Sequence, residues 1–171
     1  MSEMSPRQRL LTALRGGRPD RVPCSPHIIR WIRHHWGCTC PDHQAKLAGD
    51  FGLDLLIQYG AYTWQSVSND YVYAPGGGYS FNACALYGDV ILREVKQQYG
   101  RRVALVGGLD PVYTFDMGTP DAVRRAVRQA ICDAAEGGGY ILGTAEAIAP
   151  ETPAESLRAA SEAARQFGVY R

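Results

Sequence analysis

A repeated unit of helix, glycine, apolar strand and Thr-Pro dipeptide in the second half of the chain constrains the fold most. One Thr-Pro pair stands at Thr119-Pro120 and the next at Thr152-Pro153, 33 positions further along. Threonine caps the start of a helix, and proline supplies the φ that a first helical residue needs. The spacing fits one strand with its crossover helix, the connection that parallel strands require. The sequence therefore predicts a parallel α/β fold.

Two short apolar runs are the predicted strands of this repeat. They are Val103–Gly108 and Tyr140–Gly143, and each is bounded by glycines. Such runs are typical of strands that are buried on both faces of a parallel sheet. Helices are predicted from about 84 to 99, from Thr119-Pro120 to the glycines at 137–139, and from the capping box Thr152–Glu155 to Gly168.

The first half of the chain carries weaker signals of the same kind. Ser5–Gln8 is a capping box that predicts a helix. Arg21–Ile29 contains two prolines and predicts a short strand that passes quickly into a loop. A helix is predicted over 42–51, and Leu53–Tyr59 predicts a second strand. Residues 61–82 are aromatic and glycine-rich without periodicity, which indicates a long loop that is able to contain a hairpin.

Composition excludes several classes of protein. The 171 residues are 46% hydrophobic and 20% charged, which fits one globular domain and not a disordered chain. A formal net charge of +1 gives no field that would attract nucleic acid, and no apolar run reaches the roughly 18 residues of a membrane span. The N-terminus lacks the features of a signal peptide, so we expect a cytoplasmic protein whose five cysteines stay reduced.

Arginine is concentrated near the N-terminus. The first forty residues hold seven arginines against two acidic residues. The arginines are Arg7, Arg9, Arg15, Arg18, Arg21, Arg30 and Arg33. This end of the chain is able to face an anion, although we expect most of these side chains to be solvated, as surface charges ordinarily are.

Motifs at both ends of the chain resemble the uroporphyrinogen decarboxylase-like superfamily. Residues 5–23, SPRQRLLTALRGGRPDRVP, resemble its opening helix and the Pro-Asp-Arg-Val-Pro approach to barrel strand one. Residues 103–170 resemble its last two βα units through VALVGGLDP, GTP-x-x-V, EGGGYIL, APETPAES and FGVY. The superfamily contains decarboxylases and corrinoid-linked methyltransferases.

The resemblance implies part of a (β/α)8 TIM barrel. A full barrel has about 250 residues, so it implies an internally shortened domain of about four parallel strands, ordered 7-8-1-2 in the numbering of the full barrel, with helices outside. The single domain then comprises an N-terminal barrel part (1–60), the aromatic and glycine-rich loop (61–82) and a C-terminal barrel part (83–171).

Such a sheet has two unpaired edges, which proteins usually cover or pair. One hypothesis is a two-fold homodimer that completes the barrel, with strand two of each copy against strand seven of the other. A second is an open half-barrel whose edges are covered by the aromatic segment from Tyr71 to Phe81. A third is a deletion product that folds poorly.

Four residues follow the predicted strands, where barrel enzymes place their reactive groups. Asp110 and Glu146 are the candidate catalytic residues, and Arg30 and Tyr62 are the candidate substrate-binding residues. Gly107-Gly108 favours a role for Asp110, because glycine lets backbone come close to a ligand. The alternative for Asp110 is a cap or turn, for Glu146 a solvated loop carboxylate, and for Arg30 a salt bridge to a neighbouring helix.

The decarboxylase branch implies a small-molecule substrate, a tetrapyrrole rich in carboxylates, and no cofactor. Its members bind the carboxylates with basic side chains after strand one and use an aspartate after strand two at the pyrrole nitrogens. This chain has PHIIRWIRHHWG and QYGAY at those places, without the aspartate. A histidine after strand eight aligns with Glu146, where a carboxylate would repel a substrate carboxylate.

Two alternatives stay open. The methyltransferase branch uses zinc held by a His-x-Cys pair and a later cysteine, and that cysteine also aligns with Glu146. The other alternative is a catalytically silent binding or assembly subunit. A separate group of good zinc ligands by type lies within ten residues. It consists of His34, His35, Cys38, Cys40 and His43, but its spacing is unusual for a zinc site, so we assign no metal there.

Overall fold

The protein folds into helices and one mixed sheet. Its structure, a computed structural model, describes residues 3–37, 41–54, 73–74, 78–83, 91–144 and 147–170. The helices are α1 (Pro6–Leu14), α2 (Ile29–Trp36), α3 (Pro41–Phe51), α4 (Leu92–Tyr99), α5 (Pro120–Ala134) and α6 (Ala154–Phe167). The strands are β1 (Tyr73–Ala74), β2 (Gly78–Ala83), β3 (Val103–Leu109) and β4 (Tyr140–Thr144). A π-helix spans Pro111–Asp116. The predicted α/β class is confirmed.

The two strands predicted from apolar runs, β3 and β4, are parallel neighbours. Leu105 pairs with Tyr140, and the register continues to Leu109 beside Thr144. Successive side chains of β4 enter opposite faces, since Tyr140 and Leu142 belong to the main core whereas Ile141 packs with residues of α1. Burial on both faces explains why these strands read as continuous apolar runs.

Two helices, α1 and α5, begin at the caps that the sequence predicts. Ser5 caps α1 in a reciprocal capping box with Gln8, and the Thr119 side chain accepts from the Ala122 N–H at the start of α5. Helix α5 packs against α6 and against both parallel strands. The capping box predicted at Thr152 is wrong, because Pro153 is the N-cap of α6 and makes no side-chain cap bond.

The segment predicted as strand one is not a regular strand, and the predicted arrangement of four parallel strands is not confirmed. The segment predicted as strand one joins β4 through an isolated parallel bridge between Cys24 and Leu142. Its backbone bonds run from Ser25 N to Leu142 O (2.7 Å) and from Leu142 N to Pro23 O (2.9 Å). Pro23 and Pro26 have no N–H to extend this ladder. Of the predicted strand two, residues 55–59 lie outside the described residues.

One edge of β3 is covered by the segment predicted as a long loop. There β1 and β2 form an antiparallel hairpin, and β2 runs parallel to β3 with Tyr79 beside Val103. A two-chain barrel formed through the β3 edge would therefore have to displace β2. The mass of the protein in solution tests that dimer.

Five of the seven N-terminal arginines are exposed, as expected, and Arg9 and Arg21 are the exceptions. Arg9 is 1% exposed and donates to Asp20 (Nε to Oδ1, 2.6 Å) and to Asp54 (Nη1 to Oδ1, 2.5 Å). Arg21 donates to the second oxygen of Asp54 at 2.6 Å. These four side chains, the buried ion network, tie α1 to the segments at 20–24 and 53–54.

Because of the buried ion network, we expect the folded protein to lose stability in acid. Hydrogen bonding from Arg9, opposed by burial, lowers the pKa of Asp20 from 3.8 to about 2. Because the folded-state pKa is the lower one, this stabilisation is complete above pH 4 and is lost as the pH falls from about 4 through 2. We expect the free energy of unfolding to fall by about 2 kcal/mol over that interval.

Urea unfolding at a series of pH values measures this dependence. Asp20→Asn removes the titrating group, so the variant is expected to lose less stability than the parent between pH 4 and 2, although it starts from a lower value. Equal slopes for the parent and Asp20→Asn would contradict the assignment.

None of the helices in the part of the chain that the structure describes has the length and apolar character needed to cross a bilayer. The cytoplasmic location stays a prediction.

Candidate functional site

The carboxyl edge of β3 and β4 is the place where the fold collects residues from distant parts of the chain. Because Leu109 and Thr144 are paired, the two strands end side by side. The backbone of His27, which follows the strand-one segment, joins them by donating its N–H to Thr144 Oγ1 at 3.0 Å. The ends of β3, β4 and the strand-one segment therefore lie at one edge of the sheet.

Asp110 lies at this edge and caps the π-helix. Its Oδ1 accepts from the N–H groups of Val112 and Tyr113, both at 2.7 Å. Asp110 therefore has the helix-cap role that the sequence analysis gave as the alternative to catalysis. Within the described residues, Oδ2 of this half-buried carboxylate accepts no hydrogen bond.

Side chains of the protein pack closely around the glycines before Asp110. Tyr140 Oη donates to the Gly107 carbonyl at 2.8 Å. A Cβ at Gly108, where φ is +95°, would lie 2.8 Å from both Leu92 Cδ2 and Tyr140 Oη. The space that glycine leaves at Gly108 is therefore filled by the protein's own side chains.

The remaining predicted site residues have different outcomes. Arg30 lies in the first turn of α2, a helix that follows the strand-one segment, and its side chain is exposed. No ion pair to Arg30 occurs among the residues the structure describes. Glu146 and Tyr62 lie outside the described residues. The structure therefore locates Asp110 and Arg30 but shows no contact between them.

Sequence reasoning missed how the turn after β4 is held. Trp31 Nε1 donates to the Thr152 carbonyl at 2.9 Å, and His35 Nε2 donates to the Pro150 carbonyl at 2.9 Å. On the other side, the Thr152 hydroxyl donates to Asp116 of the π-helix. Burial of Ile28, Trp31 and Ile32 gives α2 an apolar face at helical spacing, which is the sequence signal that was available.

The group of histidines and cysteines is only partly described. His34 and His35 are adjacent on α2 with ring centroids 4.9 Å apart, and the His35 ring also stacks on Trp31 at 4.1 Å. His43 belongs to α3 and contacts Trp36. Cys38 and Cys40 lie outside the described residues. Among the described residues, no three potential ligands are close enough to hold a metal ion.

A cavity of about 600 Å³ lies at the opposite end of the strands. It is lined by Glu3, Met4, Gln8, Leu11, Thr12, Arg15 and Asp20. Asp20 precedes the segment that runs parallel to β4, so this cavity is at the amino ends of the strands. Barrel enzymes carry their chemistry at the other end, and we do not include the cavity in the site.

Comparison with known proteins identifies relatives for the second half of the chain. The sequence model of the family described as "Uroporphyrinogen decarboxylase (URO-D)" matches residues 70–167, more than half of the chain. Uroporphyrinogen decarboxylase from Mannheimia succiniciproducens is 29% identical over 104 residues, which are 56% of this chain and 29% of that protein. The enzyme of the same name from Ralstonia pickettii is 35% identical over 97 residues, 50% of this chain and 26% of its own.

The chain thus spans less than a third of the length of these relatives. Among solved structures, a methyltransferase from Methanosarcina mazei aligns with 52% of this chain and 24% of its own chain. The sequence identity is 27% and the TM-score is 0.43.

Proposed function

The chain belongs to the uroporphyrinogen decarboxylase (URO-D) family, and from this premise we propose that it binds a tetrapyrrole carboxylate and removes carboxyl groups from it. The observation that carries the proposal is the extent of the family match, because residues 70–167 include β3, β4 and Asp110. The proposed ligand lies over the carboxyl edge of the two strands, where parallel α/β proteins bind their substrates.

Asp110 is the group proposed to contact the pyrrole nitrogens. Its Oδ1 is fixed by the two backbone bonds of the cap, so Oδ2 has a defined direction and no competing donor among the described residues. A carboxylate that accepts from pyrrole N–H groups would also stabilise positive charge that develops on the ring during the reaction. The role that relatives give to an aspartate after strand two is then assigned to an aspartate after β3.

The chemistry needs no redox partner. In an acetate side chain, the bond between the CH₂ carbon and the carboxylate carbon breaks and CO₂ leaves. The carbon that remains takes up one proton and becomes a methyl group. Glu146 is the proposed participant in this proton transfer, Arg30 the proposed partner of a substrate carboxylate and Tyr62 a proposed ring contact. No cofactor enters the proposal.

Turnover of uroporphyrinogen tests the proposal. The purified protein is incubated with uroporphyrinogen under reducing, oxygen-free conditions, and the oxidised products are separated by their number of carboxylates. We expect coproporphyrin to accumulate. Asp110→Asn keeps a cap acceptor but removes the charge, so we expect the rate to fall by about 100-fold or more with the fold intact. Asp121→Asn, an exposed acidic residue in the first turn of α5, is the matched control and should not change the rate.

The outcomes distinguish the three functions that the sequence leaves open, which are a decarboxylase, a silent binding subunit and a methyltransferase. No product from the parent protein overturns the decarboxylase proposal, and a normal rate in Asp110→Asn overturns the role of that residue. Binding of the porphyrin without turnover would favour a silent binding subunit. Bound zinc in elemental analysis, together with no turnover, would favour the methyltransferase branch.

A further inference from the structure

The π-helix after β3 exposes a patch of apolar side chains at the candidate site. Val112 is 42% exposed, Tyr113 73% and Met117 72%, and these are three of the five large apolar residues that are exposed among the described residues. Val112 and Met117 are joined by the bond from Met117 N to Val112 O at 2.9 Å, so they stand one π-turn apart. We call Val112, Tyr113 and Met117 the π-helix patch. Exposed apolar clusters of this kind mark binding surfaces.

The π-helix patch stands on a rigid base. Phe115 is fully buried, and its carbonyl accepts from the Ser156 hydroxyl at 3.0 Å. Asp116 accepts from Thr152, and Asp110 caps the first turn. Burial and hydrogen bonds thus fix the backbone on both sides of Tyr113, although nothing in the described residues covers its ring. A backbone that is ordered before binding lowers the entropy that a ligand contact costs.

The position of the patch indicates which ligand it fits. Tyr113 is three residues beyond Asp110, whose Oδ2 accepts no hydrogen bond within the described residues. Exposed Arg30 and Arg33 carry positive charge suited to carboxylates, and they lie on the helix that follows the strand-one segment, which pairs with β4. An apolar surface beside an acceptor for N–H matches a macrocycle whose pyrroles have apolar faces and N–H groups, and the two arginines suit the carboxylates on its rim.

We propose that Tyr113, with Val112 and Met117 beside it, is the platform against which the tetrapyrrole ring stacks. The inference rests on the proposed function and adds to it the residue that binds the ring itself. An aromatic ring stacked on a second ring system gains both buried apolar area and the offset-stacking interaction. The occupant is the ring of the ligand, and the cap at Asp110 orders the platform before the ligand arrives.

Binding of uroporphyrin, the stable and fluorescent oxidised form, tests the platform. Its fluorescence and absorption are titrated with the parent protein, with Tyr113→Ala and with Tyr113→Phe. We expect Tyr113→Ala to raise Kd by about tenfold and Tyr113→Phe to stay within about twofold, because the ring and not the hydroxyl makes the contact. Val169→Ala, at an exposed apolar residue on the segment that pairs with Arg21, is the matched control and should not change Kd.

The failure of this inference differs from the failure of the proposed function. Unchanged Kd in Tyr113→Ala, or an equal loss in Val169→Ala, overturns the platform while turnover by the parent protein still supports decarboxylation. A change in the solution mass of Tyr113→Ala with unchanged porphyrin binding would assign the patch to protein association and also overturns the platform. If the parent protein neither binds uroporphyrin nor turns over uroporphyrinogen, both proposals fall. Circular dichroism of the variants shows whether each is folded, and an exposed side chain gives little reason for them to unfold.

Discussion

Asp54→Ala is expected to lower the free energy of unfolding by about 3–5 kcal/mol, the usual cost of breaking a buried ion pair from one side. The Asp54 side chain has no solvent-exposed surface and accepts from Arg9 Nη1 at 2.5 Å and from Arg21 Nη1 at 2.6 Å. It also accepts from the Cys24 N–H at 3.2 Å. Alanine would leave the Arg9 guanidinium, whose side chain is 2% exposed, with Asp20 as its remaining ionic partner.

Urea unfolding of the parent and the variant at pH 7 measures the effect. Glu162→Ala is the matched control, since it breaks a salt bridge between Arg124 and Glu162 whose side chains are 41% and 53% exposed. That change should cost less than about 1 kcal/mol. A cost for Asp54→Ala as small as that of the control would show that the buried ion network does not stabilise the fold.

This network also shows why part of the fold was beyond sequence reasoning. Arg9 and Asp54 are 45 positions apart, and a sequence identifies an arginine without identifying its partner. Arginine is ordinarily a surface residue, so the base expectation for Arg9 was solvation. Only the approach of α1 to the segments at 20–24 and 53–54 makes burial possible, and that approach is a tertiary event.

Where local signals and burial agree, the prediction from sequence succeeded. The strands β3 and β4 and the cap at Thr119 are set by short-range patterns that the tertiary structure reinforces. The segment at Arg21–Ile29 failed as a regular strand because its prolines remove ladder donors, although its place beside β4 agrees with the resemblance. The second Thr-Pro motif failed as a cap because the Thr152 hydroxyl bonds to Asp116 instead. The same dipeptide therefore has two outcomes, and the neighbour in space decides between them.

The location of the candidate site was predictable from the sequence, but the exposure of its side chains was not. Its location at the strand ends follows from parallel topology, which explains why Asp110 was found. The exposure of Tyr113 was not predictable, because it depends on a π-helical turn that Asp110 caps and Phe115 anchors. An isolated Val-Tyr-Thr-Phe sequence gives no sign that one aromatic ring is buried and the other is not.

Gly138→Ala is expected to destabilise the protein by about 3 kcal/mol or more, well beyond the same change one residue earlier. Both Gly137 and Gly138 have positive φ, at +79° and +85°, so alanine costs about 1–2 kcal/mol of backbone strain at either. A Cβ at Gly137 meets no atom within 4 Å, whereas a Cβ at Gly138 would lie 2.3 Å from the Gly17 carbonyl oxygen. That oxygen accepts from the Gly139 N–H at 3.0 Å, which joins the loop before β4 to the end of α1.

Chemical denaturation of Gly137→Ala and Gly138→Ala separates the two effects, since the difference between the variants is the cost of the contact with Gly17 alone. A backbone carbonyl cannot rotate away as a side chain can. The clash at Gly138 is therefore relieved only if the loop and α1 move apart, and this movement breaks the hydrogen bond from Gly139 to Gly17. Lys96 also anchors this loop by donating to the Gly138 carbonyl at 2.5 Å, which limits how far it can shift. Equal destabilisation by the two substitutions would mean that the loop does shift freely, and that the close approach of residues 137–139 to α1 contributes little to holding the first helix on the sheet.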